Sequence, residues 1–497
     1  MAAGLILAID QGTTNTKALL VDCSGAPVFR VATPVPLVSA NGGFVEQDPE
    51  HLWQSVCRVI ADSDAYARQH GWTIDAVAIS NQRETALAWD VQSGEAAAPA
   101  VSWQCGRGAA ICDRNAQFTA EIRARTGLPL APLISATKWA WLLENDARIR
   151  ELADTDRLRL GTVDAWLIHR LTQGTVNATD LTNASRTGLL NLTTLDWDRD
   201  IAEIFRIPLR ALPSLRPSSG AFGCCAAISG VERVPILAAI GDSHAAIFGH
   251  GRFSAGTVKA TYGTGSSLMA LTPALAPDTP SLARAIAWSI GNNVQFALEG
   301  NIAMTGSAVQ WLGEFLRLPN PAPDVAALAA TVPDAAGVYF VPAMVGLGAP
   351  HWDASARGAI TGLSRAHTAA HLAHAALDSI AFQVADVFFA MEQAAGVPLA
   401  ELRADGGATR NSALMQFQAD ILDRPLLRSA NEELSALGAA WLAGLALGWW
   451  SSLAELESRA NPTDRFAPNL AAEERDRLYR GWSQAVRAVC PGKAATV

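Results

Sequence analysis

The chain has 497 residues, half of them hydrophobic and 17% charged, with a net charge of −9. That length exceeds a single core and points to two or more globular domains, which excludes a disordered chain. The acidic balance without a Lys/Arg block argues against nucleic-acid and membrane-surface roles, and seven scattered cysteines without a CxxC pair suit free thiols in a reducing compartment.

Asp10 interrupts the first apolar run, and no basic segment precedes that run, so a signal peptide is not expected and the reading is cytoplasmic. The late apolar stretch 434–450 contains Ser and three glycines and falls short of a membrane span.

Two apolar runs flank Gly12-Thr13-Thr14-Asn15, with Asp10 before the turn and Lys17 after it. The pattern predicts a β-hairpin, because Gly12 can take backbone angles closed to other residues. Thr hydroxyls, closely spaced backbone N–H groups and Lys17 suit phosphate oxygens. Asp10, at the end of a buried strand, suits a magnesium ion. A strand over 27–38 follows, whose second half is an edge at best because Pro34 and Pro36 cannot donate to a ladder. After an Asn41-Gly42-Gly43 turn, Asp48 and Pro49 open a helix around Leu52, Trp53, Val56 and Ile60.

The buried strand 76–80 runs into Asn81-Gln82-Arg83-Glu84, which places Arg83 and Glu84 where open α/β sheets gather ligands. A strand over 98–101 leads to Trp103, and helices are expected from Gly108, over 137–144, over 149–154 and from Gly161. Residues 180–187 read as polar and irregular, and Pro208, Pro213 and Pro217 as marks of a linker.

The strand 234–240 ends in Gly241-Asp242-Ser243-His244 and a helix over 245–249, again setting a carboxylate at a sheet edge. Residues 257–271, with Tyr262-Gly263-Thr264-Gly265-Ser266-Ser267 as the turn, repeat the opening hairpin half a chain later. Two copies of one phosphate-suited hairpin predict two similar domains facing a shared cleft. A loop into a helix over 300–316, a strand over 338–341, a rigid loop over 346–353 and a long helix over 368–395 follow. The strand around Leu402 ends in a third Gly-rich turn, Asp405 to Asn411, and helices over 413–422, 434–447 and 471–489 complete an alternating α/β chain. There is no GxxxxGK[ST] P-loop and no HRD or DFG set.

Together these motifs resemble the FGGY carbohydrate kinase family of the actin-like (ribonuclease H-like) ATPase superfamily, and within it are most similar to glycerol kinases. The likeness runs from Ile6 to about Trp450. It implies an α/β fold of two actin-like domains facing a central cleft, with 1–245 binding substrate and phosphate and 246–497 binding nucleotide. It also implies ATP-dependent phosphorylation of a polyol or sugar hydroxyl with Mg2+, in a homodimer or homotetramer.

Residue by residue, Thr13, Thr14, Asn15 and Lys17 match the family's phosphate turn, and Thr264, Gly306, Gln310, Gly407 and Asn411 its nucleotide contacts. Arg83, Glu84, Trp103 and Asp242 match the substrate side, with Asp242 the implied general base. The family's usual arginine is Lys17 here, which keeps the charge but loses the bidentate fork.

Three positions depart from the glycerol kinases: Leu133 stands for an aromatic Tyr, Ser243 for a Gln and Ser267 for a Phe. These changes predict a pocket for something longer than glycerol, a four- or five-carbon polyol or ketose, with glycerol itself as the alternative. In the segment 230–234 of the glycerol-kinase inhibitor loop, an acid and Val stand beside Arg233, which suits an anion poorly. A non-metabolic actin-like ATPase would instead turn over ATP without stimulation by any polyol or sugar.

Overall fold

A computed structural model of the chain describes residues 4–40, 43–226, 231–459 and 463–490. The turn at Asn41-Gly42 and the start of the inhibitor-loop segment at Gly230 lie outside the described residues. The chain forms two compact units, neither continuous in sequence. The first comprises Met1–Phe253, Arg284–Ala297 and Glu433–Ala460, and the second Ser254–Ala283, Leu298–Glu432 and Asn461–Val497.

In the first unit, strands Ile236–Gly241, Thr73–Asn81, Gly4–Gln11, Asn15–Asp22 and Pro27–Pro34 lie side by side in that order. The first three are parallel, and the last two joins are antiparallel. The Gly4–Gln11 strand is apolar at every position from Leu5 to Ile9 because both of its faces are covered. Leu5, Leu7 and Ile9 share a core with Leu52, Val56, Val59 and Ile60 of helix Pro49–Gln69. Asp48 caps that helix, accepting from the Glu50 N–H.

Helix Leu434–Leu447 also belongs to the first unit, which explains why it is apolar all round. It crosses helix Asp242–Gly249 at backbone contact: a Cβ on Gly438 would lie 1.9 Å from the Ala245 carbonyl oxygen, and one on Gly249 2.3 Å from that of Leu434.

Three expectations for this unit need correction. Residues 180–187 are polar but buried, and 180–184 are regular, because strand Ala178–Asp180 ends in a carboxylate that caps helix Leu181–Ala184 through the Thr182 and Asn183 N–H groups, with a turn over 185–187. The proline-marked stretch is no linker, since strand Ser214–Arg216 pairs with Ala178–Asp180 and Ser218 bonds to Asp180 and Ser289. The 27–38 strand stops at Pro34, where the ladder loses its donor.

The second unit repeats the hairpin theme. Strands Val258–Tyr262 and Ser266–Thr272 pair antiparallel, Tyr262 opposite Ser266, and Val258–Tyr262 pairs in parallel with Leu402–Asp405. Leu426–Ser429 and Thr463–Phe466 extend the sheet, two strands too short to stand out in the sequence. Helix Ala369–Ala395 supplies much of the core. It is the one described helix long and apolar enough to cross a membrane, and it is mostly buried in the protein.

Candidate active site

The turn after strand Gly4–Gln11 is closed by the Gly12 N–H donating to the Asn15 carbonyl at 2.9 Å. Three buried glutamines hold it. Gln82 Nε2 donates to Gln47 Oε1 at 2.9 Å and Gln11 Oε1 at 3.1 Å, while Gln47 Nε2 donates to the Thr13 carbonyl at 2.8 Å. Trp103 Nε1 donates to Thr13 Oγ1 at 2.9 Å, which ties the expected substrate-side indole to the Gly12–Asn15 turn. Thr14 is exposed, and Asn15 donates to its hydroxyl at 3.2 Å.

Strand pairing sets Asp10 opposite Lys17. Asp10 accepts from Ser80 Oγ at 2.8 Å, and burial pushes its carboxyl up to about 6, with the Asp242 charge adding to the rise and Ser80 and Lys17 opposing it. Lys17 Nζ donates to Glu433 Oε2 at 2.7 Å, and Arg30 reaches the other oxygen at 2.6 Å. Glu433, only 5% exposed, stands at the N-cap of helix Leu434–Leu447 and was not singled out by any motif.

Among the described residues no three His, Cys, Asp or Glu side chains form a metal cage. A magnesium ion does not require one, since it is commonly held by one or two carboxylates together with water and substrate phosphates. Asp10 fits that need, and the repulsion it feels from Asp242 is one a divalent cation would relieve.

Asp242 opens helix Asp242–Gly249 at the end of strand Ile236–Gly241. Its Oδ1 accepts from Arg83 Nε at 3.0 Å and from the Ser243 N–H at 2.6 Å, and 39% of the side chain remains exposed. Arg83 can lie there only because residue 241 is glycine: a Cβ would come 2.8 Å from the Arg83 Cγ and Cδ. Behind it, Thr182 Oγ1 accepts from the Gly241 N–H at 2.9 Å and donates to Asp180, and Ser435 Oγ donates to the Asp242 carbonyl at 3.0 Å.

Glu84 adopts a left-handed backbone (φ 60°) and accepts from Arg186 Nε at 2.6 Å, the two side chains being 6% and 2% exposed. Ser135 Oγ donates to its carbonyl at 3.1 Å. Leu133 is half-buried and Ser243 buried.

In the second unit, the carbonyls of Gly263 and Thr264 accept from the Gly306 N–H at 3.1 Å and the Ser307 N–H at 3.0 Å at the start of helix Gly306–Phe315. A Cβ on Gly306 would lie 2.6 Å from the Gly263 oxygen, so the hairpin and the helix start fit only through glycine. Gln310, exposed on the same helix, donates to Glu314 at 2.8 Å. Asn411 caps helix Ser412–Leu422, accepting from the Leu414 N–H at 3.1 Å, and Gly407 is exposed with open space around its α-carbon. Ser267 Oγ lies 3.5 Å from Glu299 Oε1.

Gly406 (φ 96°) sits where a Cβ would come 2.4 Å from the Tyr262 carbonyl oxygen. Gly406→Ala is therefore expected to cost more than about 1 kcal/mol and to weaken nucleotide binding. Thermal denaturation and ADP titration check this, and wild-type values in both would show that the close approach does not fix the turn.

A separate cavity of about 800 Å³ beside Trp53, Trp166, His169 and Arg170 contains none of these residues.

Residues 5–249 match the N-terminal domain of the FGGY family of carbohydrate kinases, and residues 258–447 its C-terminal domain. The chain is 46% identical over 490 residues to a glycerol kinase of Symbiobacterium thermophilum, covering 98% of each. It is 44% identical to a glycerol kinase of Burkholderia ambifaria, covering 97% of each. Its fold is similar to the crystal structure of Plasmodium falciparum glycerol kinase with ADP, with a TM-score of 0.93, 31% identity and 98% of both chains covered. The chain belongs to the FGGY family of carbohydrate kinases and is an ATP-dependent phosphotransferase acting on a sugar or polyol.

Proposed function

We propose that the enzyme transfers the γ-phosphoryl group of ATP to a hydroxyl of glycerol, giving glycerol 3-phosphate. The observation that carries this reading is the Arg83–Asp242 pair, a guanidinium and a half-open carboxylate 3.0 Å apart beyond the ends of two adjacent parallel strands. The names of relatives at 44–46% identity across nearly the whole chain support glycerol as the acceptor.

Asp242 takes the proton of the attacking hydroxyl, and its exposed part gives that hydroxyl access. Arg83 fixes the carboxylate through its Nε, and its guanidinium donates to the acceptor hydroxyls. Glu84, held by Arg186, accepts from acceptor hydroxyls, with Trp103 beside the phosphate turn. Thr13, Thr14, Asn15 and Lys17 bind the transferred phosphoryl, and Lys17 shares its charge between phosphate and Glu433. Thr264, Gly306, Gln310, Gly407 and Asn411 hold the nucleotide. A magnesium ion held by Asp10 would supply positive charge against the phosphates.

A second reading, a four- or five-carbon polyol or ketose, draws on Leu133, Ser243 and Ser267, where bulky or polar side chains give way to smaller ones. A coupled ADP-release assay over a panel of acceptors separates the two. Glycerol is expected to give the highest kcat/KM, and a longer polyol far above glycerol would overturn the proposal in favour of the second reading.

A further inference from the structure

Lys138, in helix Ser135–Asn145, is completely buried at 0% exposure. A buried ammonium is costly unless its three donors are satisfied. This one turns back past the start of its own helix and donates to the carbonyls of Leu133 and Ile134. The helix has no side-chain N-cap, because Ile134 occupies that position.

The same first turn holds two other pieces of chain. Ser135 Oγ donates to the Glu84 carbonyl at 3.1 Å, and the Ala136 N–H donates to the Thr187 carbonyl at 2.9 Å, next to Arg186. The Glu84 carboxylate is in turn bound by Arg186. One helix start therefore fixes the segment carrying Leu133, the backbone of Glu84 and the turn carrying its arginine.

We propose that Lys138 is a positioning residue for the acceptor, clasping the Leu133–Ile134 backbone so that its proton tunes acceptor affinity. The inference rests on the reading of Leu133 and Glu84 as acceptor-side residues.

Burial pulls the Lys138 ammonium down to about 7, with the Glu84 carboxylate opposing that fall. The other groups facing it are the Cys105 and Cys112 thiols and the Arg107 guanidinium, which is itself paired with Glu46 at 2.5 Å. The Cys112 thiol is pushed up to about 11 by burial, so it stays neutral while the lysine titrates. Below about pH 7 the clasp is charge-assisted, and above it a neutral amine donates more weakly and Glu84 loses a cationic neighbour.

The test measures KM for glycerol and for ATP from about pH 6 to about pH 9, on the full-length wild type and on Lys138→Met. For the wild type, the acceptor KM is expected to rise about tenfold across this range while the ATP KM stays level. Lys138→Met is expected to show the high acceptor KM at every pH, with an unchanged ATP KM. A variant that keeps the wild-type acceptor KM and its inflection would overturn the proposal.

If Lys138→Met does not fold, the wild-type profile decides alone, and an acceptor KM that does not change with pH overturns it. A wild type with no acceptor-stimulated ADP release would overturn the functional reading and this inference with it, a result distinct from a flat profile.

Discussion

Asp242→Asn is expected to lower kcat by about 10²–10⁴-fold while leaving ATP affinity and the fold intact. Shape and proton capacity separate the two effects. An amide oxygen at the Oδ1 position can still accept from Arg83 Nε and the Ser243 N–H, so the contacts that orient the side chain survive. Its nitrogen cannot accept a proton, so the hydroxyl of the acceptor would have to lose one unaided. The supports behind the residue, Thr182 on the Gly241 N–H and Ser435 on the Asp242 carbonyl, act on the backbone and are untouched by the exchange. Steady-state kinetics with ATP titration by calorimetry check the split. A kcat near that of the wild type would remove Asp242 from the role of base.

Both hairpins were legible because each combines two signals that need no tertiary context: apolar runs on either side of the turn and a turn of Gly and Thr with Asn or Ser. The Asp48 cap and the strand that delivers Arg83 were legible for the same reason. What could not be read is how distant pieces meet. Helix Leu434–Leu447 is apolar all round, which says that it is buried but not that it belongs to the first unit.

Lys17 looks like a free phosphate ligand in the sequence, yet its partner Glu433 lies 416 positions away, so the proposed phosphate role would have the phosphate share this cation. The glutamines at 11, 47 and 82 are ordinary polar residues in sequence and become the frame of the Gly12–Asn15 turn only when the ends of three strands converge. Residues 180–187 misled for a physical reason. A polar stretch normally means solvent, but here Asp180 bonds to Thr182, Asn183 and Ser218, so polarity marks a satisfied interior network.

Arg186→Met is expected to destabilise the protein by about 3–5 kcal/mol, because it takes the hydrogen-bonded guanidinium from the buried Glu84 carboxylate. Methionine keeps the volume, so the loss reports charge rather than a cavity. Adding Glu84→Gln to that variant removes the uncompensated charge and should recover part of the stability, since the cost lies in breaking the pair rather than in losing it. Activity should not follow stability back. Glutamine at 84 has lost the carboxylate proposed to accept from the acceptor hydroxyls, so the double variant should refold toward the wild-type denaturation midpoint yet keep a raised acceptor KM. Urea denaturation and acceptor kinetics on the wild type, both single variants and the double variant measure the coupling. A midpoint for Arg186→Met equal to the wild type would mean that Glu84 is neutralised by other neighbours. Recovery of stability and acceptor KM together would mean that Glu84 serves the fold alone and does not touch the acceptor.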